Sequence, residues 1–195
     1  MKIEDAINEL VSYIKKVYEQ INNKVGQNIY RGRLRSINTD IEDGIALFLS
    51  NILPEGYKLF LDSSIRVDGV NFRPDVLVVN DKNECYAMIE IKANMGWCRD
   101  ATNVINDIVS NHNKFSKETI LNCKFSKETT QSITYGLNTK LYLIALTDKN
   151  CNAEKHENNK AYASSVGIKQ FNLFSGWYGE LISCEIDEFA KDLLA

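Results

Sequence analysis

This sequence has no CxxC pair, no apolar run long enough for a membrane, and none of the short strings that mark common nucleotide or acyl chemistry. Each absence excludes a class. The five cysteines (Cys85, Cys98, Cys123, Cys151 and Cys184) are odd in number and widely spaced. Neither a disulfide framework nor a zinc knuckle is signalled, so a reducing cytoplasm is the expected setting. His112 and His156 are the only histidines and show no ligand spacing, which leaves no basis for an imidazole-built metal centre. The strings GxxxxGK(S/T), GxGxxG and GxSxG do not occur, arguing against a nucleotide cofactor, dinucleotide binding and serine-hydrolase chemistry. MKIEDAINELVSYIKK places acids where a signal peptide needs a clean apolar core, and no run approaches the roughly 18 residues of a span. The chain is expected to be neither exported nor membrane-bound.

What is present fits one globular domain over residues 1–195, with 44% apolar and 25% charged residues. We divide it into an N-terminal helix and basic connection (1–37), a core (38–147) and C-terminal elements (148–195). The net charge of −3 hides an uneven distribution. Lys24, Arg31, Arg33 and Arg35 occur in 23–36 without an acid, and 114–140 holds Lys114, Lys117, Lys124, Lys127 and Lys140 against Glu118 and Glu128. Residues 180–195 hold five acids against Lys191. The basic runs are candidate phosphate contacts, with Arg31, Arg33, Arg35, Lys114 and Lys117 foremost, or simply solvated segments.

Apolar residues at helical spacing (Ile3, Ile7, Leu10, Val11, Ile14, Val17) predict a helix over 3–22, and Ile41, Ile45, Phe48, Leu49 and Ile52 predict a second, with Thr39 as its N-cap. A strand is expected at 57–62, followed by a turn or loop and two more strands in 72–97. Ala101, Val104, Ile105, Ile108 and Val109 predict a third helix, with Asp100 as its candidate N-cap. KFSKET occurs at 114–119 and again at 124–129, too brief for a solenoid and read as a duplication in a polar insertion. LYLIALT (141–147) reads as a buried strand, DKNCNAEKHENNK as a loop, YASSVGI as a short helix, FNLF (171–174) as a strand and CEIDEFAKDLLA as a terminal helix.

The chemistry concentrates in FRPDVLVVNDKNECYAMIEIKANMGW, residues 72–97, where Asp75, Glu90 and Lys92 interrupt two apolar strand patterns. A turn centred on Lys82 and Asn83 sets Val79 opposite Tyr86, Leu77 opposite Met88 and Asp75 opposite Glu90. Alternation then brings Lys92 to the face of Glu90. Opposed residues have Cβ atoms about 4.5–5.5 Å apart, and like charges there destabilise the sheet unless a positive charge intervenes. A divalent cation supplies it. Mg²⁺ commonly takes one or two carboxylates and completes its shell with water and phosphate oxygens. Lys92, too basic to ligate, would orient an attacking water or stabilise charge developing on phosphate.

Arg73-Pro74-Asp75, fourteen intervening residues, then Glu90-Ile91-Lys92 resembles the motif of the PD-(D/E)xK nuclease superfamily, and the order of elements from 39 to 147 resembles that family too. The resemblance implies an α/β restriction-endonuclease-like fold: a mixed central β-sheet, with an antiparallel meander plus a crossover parallel strand, flanked by helices. It implies Asp75 and Glu90 as ligands of Mg²⁺, with Mn²⁺ able to substitute, the Ile91 carbonyl as a further metal ligand, and Lys92 as a catalytic residue. Glu42 matches the acid that the family often carries on the helix before the meander, although Thr39-Asp40-Ile41-Glu42 also reads as a capping box. The activity implied is phosphodiester hydrolysis of double-stranded DNA. Small size and the absence of accessory domains favour a homodimeric type II restriction or related host-defence endonuclease. Two rivals stand beside this reading: a non-catalytic DNA-binding module of the same fold, and a nuclease subunit of a larger transposition or repair complex. Lys58, Asp62 and Arg66 read chiefly as surface residues, and Trp97 as a packing residue rather than a stacking platform.

Overall fold

The computed structural model describes residues 1–22, 37–67, 70–94, 101–115, 119–124, 130–136, 138–149 and 152–195. Two helices come first, α1 (Ile3–Asn22) and α2 (Asn38–Ile52), followed by strands β1 (Lys58–Leu61), β2 (Ser64–Val67), β3 (Val70–Phe72), β4 (Val76–Val79) and β5 (Cys85–Asn94). Helix α3 (Ala101–Lys114), β6 (Thr119–Lys124), β7 (Thr130–Tyr135), β8 (Lys140–Thr147), α4 (Ala153–Ser165), β9 (Ile168–Trp177), β10 (Glu180–Ser183) and α5 (Ile186–Leu194) complete the order.

Six strands form the main sheet in the order β1-β4-β5-β8-β9-β10. The β1, β4 and β5 pairings are antiparallel, β5 to β8 and β8 to β9 are parallel, and β10 returns antiparallel along β9. The antiparallel meander and the crossover parallel strand are therefore both present. A second, wholly antiparallel sheet has the order β3-β2-β6-β7.

Alternation along β5 divides the interior in two. Ala87, Ile89 and Ile91 join Ile7, Leu10 and Ile14 of α1, Ile41, Ile45, Phe48 and Leu49 of α2, and Phe189 and Leu193 of α5. Met88, on the other face, joins Ile105 and Ile108 of α3, Leu143 and Ala145 of β8, and Leu121 and Ile133 of the second sheet. Both cores are apolar stripes removed from water, which is the main favourable term in folding. The first two helices cross closely at Gly44, where a Cβ would lie 2.8 Å from Tyr13 Cδ1. Any larger residue there would force the Tyr13 ring to move.

The structure corrects several expectations. Helix α2 is preceded by Ile37 at its N-cap, without a side-chain cap hydrogen bond, so the capping box built on Thr39 and Glu42 is not formed. Helix α4 occupies much of the segment read as a loop, capped by Asn152, whose side chain accepts from the Lys155 amide. It buries His156 and Ala163, too sparse a pattern to announce a helix. The segment after β1, expected as turn or loop, contains β2 and β3, and the polar insertion holds the β6–β7 hairpin. Part of the KFSKET duplication and Asp100 lie outside the described residues.

The β4–β5 turn also differs from expectation. Leu77 pairs with Met88 as expected, but Val79 pairs with Cys85, not Tyr86, across a bulge. Asn80 Oδ1 accepts from the amides of Lys82 (3.0 Å) and Glu84 (2.9 Å), tightening the loop. Tyr86 becomes the extra residue on β5, and its hydroxyl accepts from Lys140 Nζ at 2.9 Å.

Candidate active site

Strand β4 ends one residue short of Asp75. Val76 pairs with Ile89, so β5 runs on past its antiparallel partner at Glu90 and beyond. Asp75 fills the gap with its side chain: the Ile91 amide donates to Asp75 Oδ2 at 2.6 Å. A carboxylate thus replaces a carbonyl at the end of the ladder, which satisfies a half-buried donor and fixes the acid beside Glu90. On β5, Glu90 and Lys92 share a face, and Lys92 Nζ donates to Glu90 Oε1 at 2.7 Å, with the side chains 25% and 29% exposed.

The acids repel one another. Burial, then the Glu90 charge, pushes the Asp75 carboxyl up to about 6, against the opposing pull of the Ile91 amide and Lys92. Burial, then Asp75, Asp62, Asp43 and Glu90, pushes Glu42 on α2 up to about 7. These influences place Glu42 in the same electrostatic neighbourhood as Asp75 and Glu90. The alternative of a helix cap has no hydrogen bond to support it.

Asp62 is the residue that sequence reasoning set aside. It adopts a left-handed backbone conformation, φ 45°, which aspartate tolerates better than most residues. Its amide donates to the Asp75 carbonyl at 3.0 Å, and its carboxylate pairs with Arg73 Nε at 3.4 Å. The loop after β1 is thereby tied to the Arg73-Pro74-Asp75 segment from both sides. An acid directly after a short strand was the only signal available in the sequence. Lys58, by contrast, donates to Asn83 Oδ1 at 3.4 Å in the β4–β5 turn, at the end of β4 away from Asp75.

Other expected residues are not brought to the site or fall outside the description. Lys114 is exposed at the end of α3 and donates to Asn111 Oδ1 at 3.3 Å. Arg31, Arg33, Arg35, Lys117, Trp97 and Arg99, and the side chain of Arg66, lie outside the described residues. His112 Nδ1 meets Tyr135 Oη at 2.6 Å, and His156 is wedged between Gln170 and Asn172 at 3.1 and 3.2 Å. Both histidines are occupied in packing. Cys85 and Cys123 are buried free thiols and Cys184 is an exposed one.

Among the described residues, no three His, Cys, Asp or Glu side chains are gathered as a ready-made cage for one ion. The donor set fits a hard cation in a different way. Asp75 and Glu90 are adjacent oxygen donors whose mutual repulsion a dication would relieve, and Mg²⁺ needs only one or two carboxylates.

No family model matches the chain, and no curated protein matches it either. Among solved structures, the chain is similar to P. aeruginosa NucC in its cAAA-bound form, with a TM-score of 0.56 at 11% identity over 98% of this chain and 88% of that one. The chain has a restriction-endonuclease-like fold. That likeness at low identity concerns the path of the backbone, and the chemistry rests on the residues above. Among the described residues, no helix is long and apolar enough to cross a membrane.

Proposed function

We propose that this protein is a divalent-metal-dependent endonuclease that hydrolyses phosphodiester bonds of double-stranded DNA, acting in host defence. The observation that carries this reading is the Asp75, Glu90 and Lys92 set: one acid braced by the Ile91 amide, the other by Lys92, both at the point where β4 gives way and β5 continues. Asp75 and Glu90 would hold Mg²⁺, with Mn²⁺ able to substitute, the Ile91 carbonyl is a candidate third ligand, and Glu42 would tune or complete the set. The bound ion would supply Lewis-acid polarisation of the phosphate and a nucleophilic water at neutral pH.

The chain's own residues would do the rest. Lys92 donates hydrogen bonds and holds positive charge where the phosphoryl oxygens develop negative charge. Its bond to Glu90 sets its Nζ beside the acids. Asp75, fixed through Ile91, keeps its position when the substrate arrives, which lowers the cost of organising the site. Arg31, Arg33, Arg35, Lys114 and Lys117 would neutralise DNA phosphates. The two-fold symmetry of duplex DNA favours a homodimer.

The NucC likeness favours a second form of the same reading. NucC is described bound to cAAA, and cleavage by this chain would then depend on such a small nucleotide, in place of the site-specific restriction expected from the sequence. Purified protein incubated with plasmid and bacteriophage DNA in Mg²⁺ or EDTA, each with and without cAAA, separates the cases. Discrete Mg²⁺-dependent fragments without cAAA support restriction, and cleavage only with cAAA supports the regulated form. No cleavage under any condition would overturn the nuclease reading in favour of a binding module or a partner-dependent subunit.

A further inference from the structure

A cleft of about 200 Å³ opens beside Glu90, between β5 and α3. Its floor is apolar, made by Phe72, Met88, Val104 and Ile108, while Arg73, Asp107 and Asn111 bring polar groups to it. Arg73 and Asp107 are exposed, Phe72, Val104 and Asn111 are half-buried, and Met88 and Ile108 are buried, so the cleft runs from a charged mouth to an apolar base.

We propose that this cleft receives one unstacked nucleobase flanking the phosphate to be cut; the inference rests on the nuclease reading above and names a subsite for it. Size is the first argument: the volume lies below the roughly 300–1,000 Å³ of pockets that enclose drug-sized ligands, which suits a single planar base. Shape is the second. The ring of Phe72 is steadied against Phe115, with centroids 5.0 Å apart at 30°, and offers a π surface that need not reorganise.

Hydrogen-bonding groups decide what is read. Glu90 and Asp107 bring two carboxylates to the cleft beside the guanidinium of Arg73, with Lys92 bonded to Glu90 and Lys114 to Asn111. A base has edges that these residues recognise: a carboxylate accepts from an exocyclic amine, and an Asn amide both donates and accepts. Glu90 belongs to the cleft and to the candidate metal-binding pair, which places the base within one nucleotide of the reacting phosphorus. Reading a base in this way requires its extrusion from the stack.

The test uses the whole protein, an Asp107→Ala/Asn111→Ala variant and a Val104→Phe variant that fills the cleft from α3. Plasmid fragments produced in Mg²⁺, with cAAA if it is needed, are end-sequenced. Duplexes carrying 2-aminopurine beside the mapped cut are then titrated with protein in Ca²⁺. The unchanged protein should show a base bias on one side of the cut and a fluorescence rise of roughly threefold or more on binding. Both variants should lose the bias and the rise. Bias and fluorescence unaltered in both variants would overturn the proposal, as would an unchanged protein that cuts without bias and leaves the probe dark. A protein that cuts no DNA at all would overturn the nuclease reading together with this one.

Discussion

Asp75 and Ile91 are joined by a 2.6 Å hydrogen bond in which a side chain continues a β ladder that its own strand has abandoned. The bond does two things that substitution can separate. It satisfies a backbone donor, and it holds an ionised oxygen beside Glu90. Asp75→Asn keeps an acceptor for the amide but removes the charge, so it should melt close to the unchanged protein while DNA cleavage falls on the order of 10²-fold to 10³-fold. Asp75→Ala should lose cleavage to the same extent and also leave the Ile91 amide without its partner, at about 1–3 kcal/mol, partly offset by relief of repulsion. Plasmid cleavage and thermal melting read the two effects, and an Asn variant as active as the unchanged protein would show the bond to be architectural alone.

Lys92 gives the complementary experiment. Its pair with Glu90 is partly exposed, so the interaction should contribute no more than about 1 kcal/mol to stability. Lys92→Ala should fold normally, bind DNA with nearly unchanged affinity and lose cleavage by on the order of 10²-fold or more. Lys92→Arg should not restore it, because a planar guanidinium cannot replace a compact ammonium at one point in space. Full activity in the Arg variant would mean that only the charge matters.

How much of this could be read from the sequence differs between the site and its surroundings. Asp75, Glu90 and Lys92 were legible because charges inside strands of Val, Leu and Ile have few structural uses, and Leu77 opposite Met88 followed from alternation and the turn residues. The bulge at Tyr86 was not legible; it adjoins a turn in which Asn80 Oδ1 accepts from two amides, a contact that composition does not reveal. Only the last turn of α4, within YASSVGI, was expected; the rest escaped notice because its inward face carries His156 and faces Gln170 and Asn172, a polar layer with no apolar period. The β2–β3 and β6–β7 hairpins are built of short strands, and the sheet they form depends on β2 pairing to β6 far along the sequence. Asp62 is exposed, as the sequence suggested, but its left-handed backbone and the bond from its amide to the Asp75 carbonyl were not legible.

The basic run at 23–36 carries a prediction that does not depend on the acids. Arg33→Ala should weaken DNA binding across all sequences and reduce the slope of log affinity against log salt by about 1, with little change in the rate of cutting at saturating DNA. Fluorescence anisotropy over 50–200 mM salt would measure it. An unchanged slope would remove this run from the DNA surface and leave the 114–140 run as the remaining candidate.

The crowding of acids makes a prediction about pH and metal that needs no turnover. Asp75 titrates near 6 and Glu42 near 7, above their ordinary 3.8 and 4.5. Between about pH 4 and 7 the folded chain therefore binds protons more tightly than the unfolded chain does. The stability these groups contribute is present at the acid end, falls as pH rises through that window, and is flat above it. Solvent screening of the half-exposed Glu42 limits its share to on the order of 1 kcal/mol, or about 2–4 °C for a chain of this length. In EDTA, Glu42→Gln should lack that share of the fall, so the variant should melt progressively higher than the unchanged protein from pH 5 to 8. Mg²⁺ should raise the melting temperature of the unchanged protein at pH 8 and do so less at pH 5, where Asp75 and Glu42 are largely protonated and compete poorly for the ion. Cleavage should rise over the same interval. A gap between variant and unchanged protein that stays constant with pH would show that Glu42 does not share the field of Asp75, and Mg²⁺ stabilisation equal at both pH values would place the ion elsewhere on the protein.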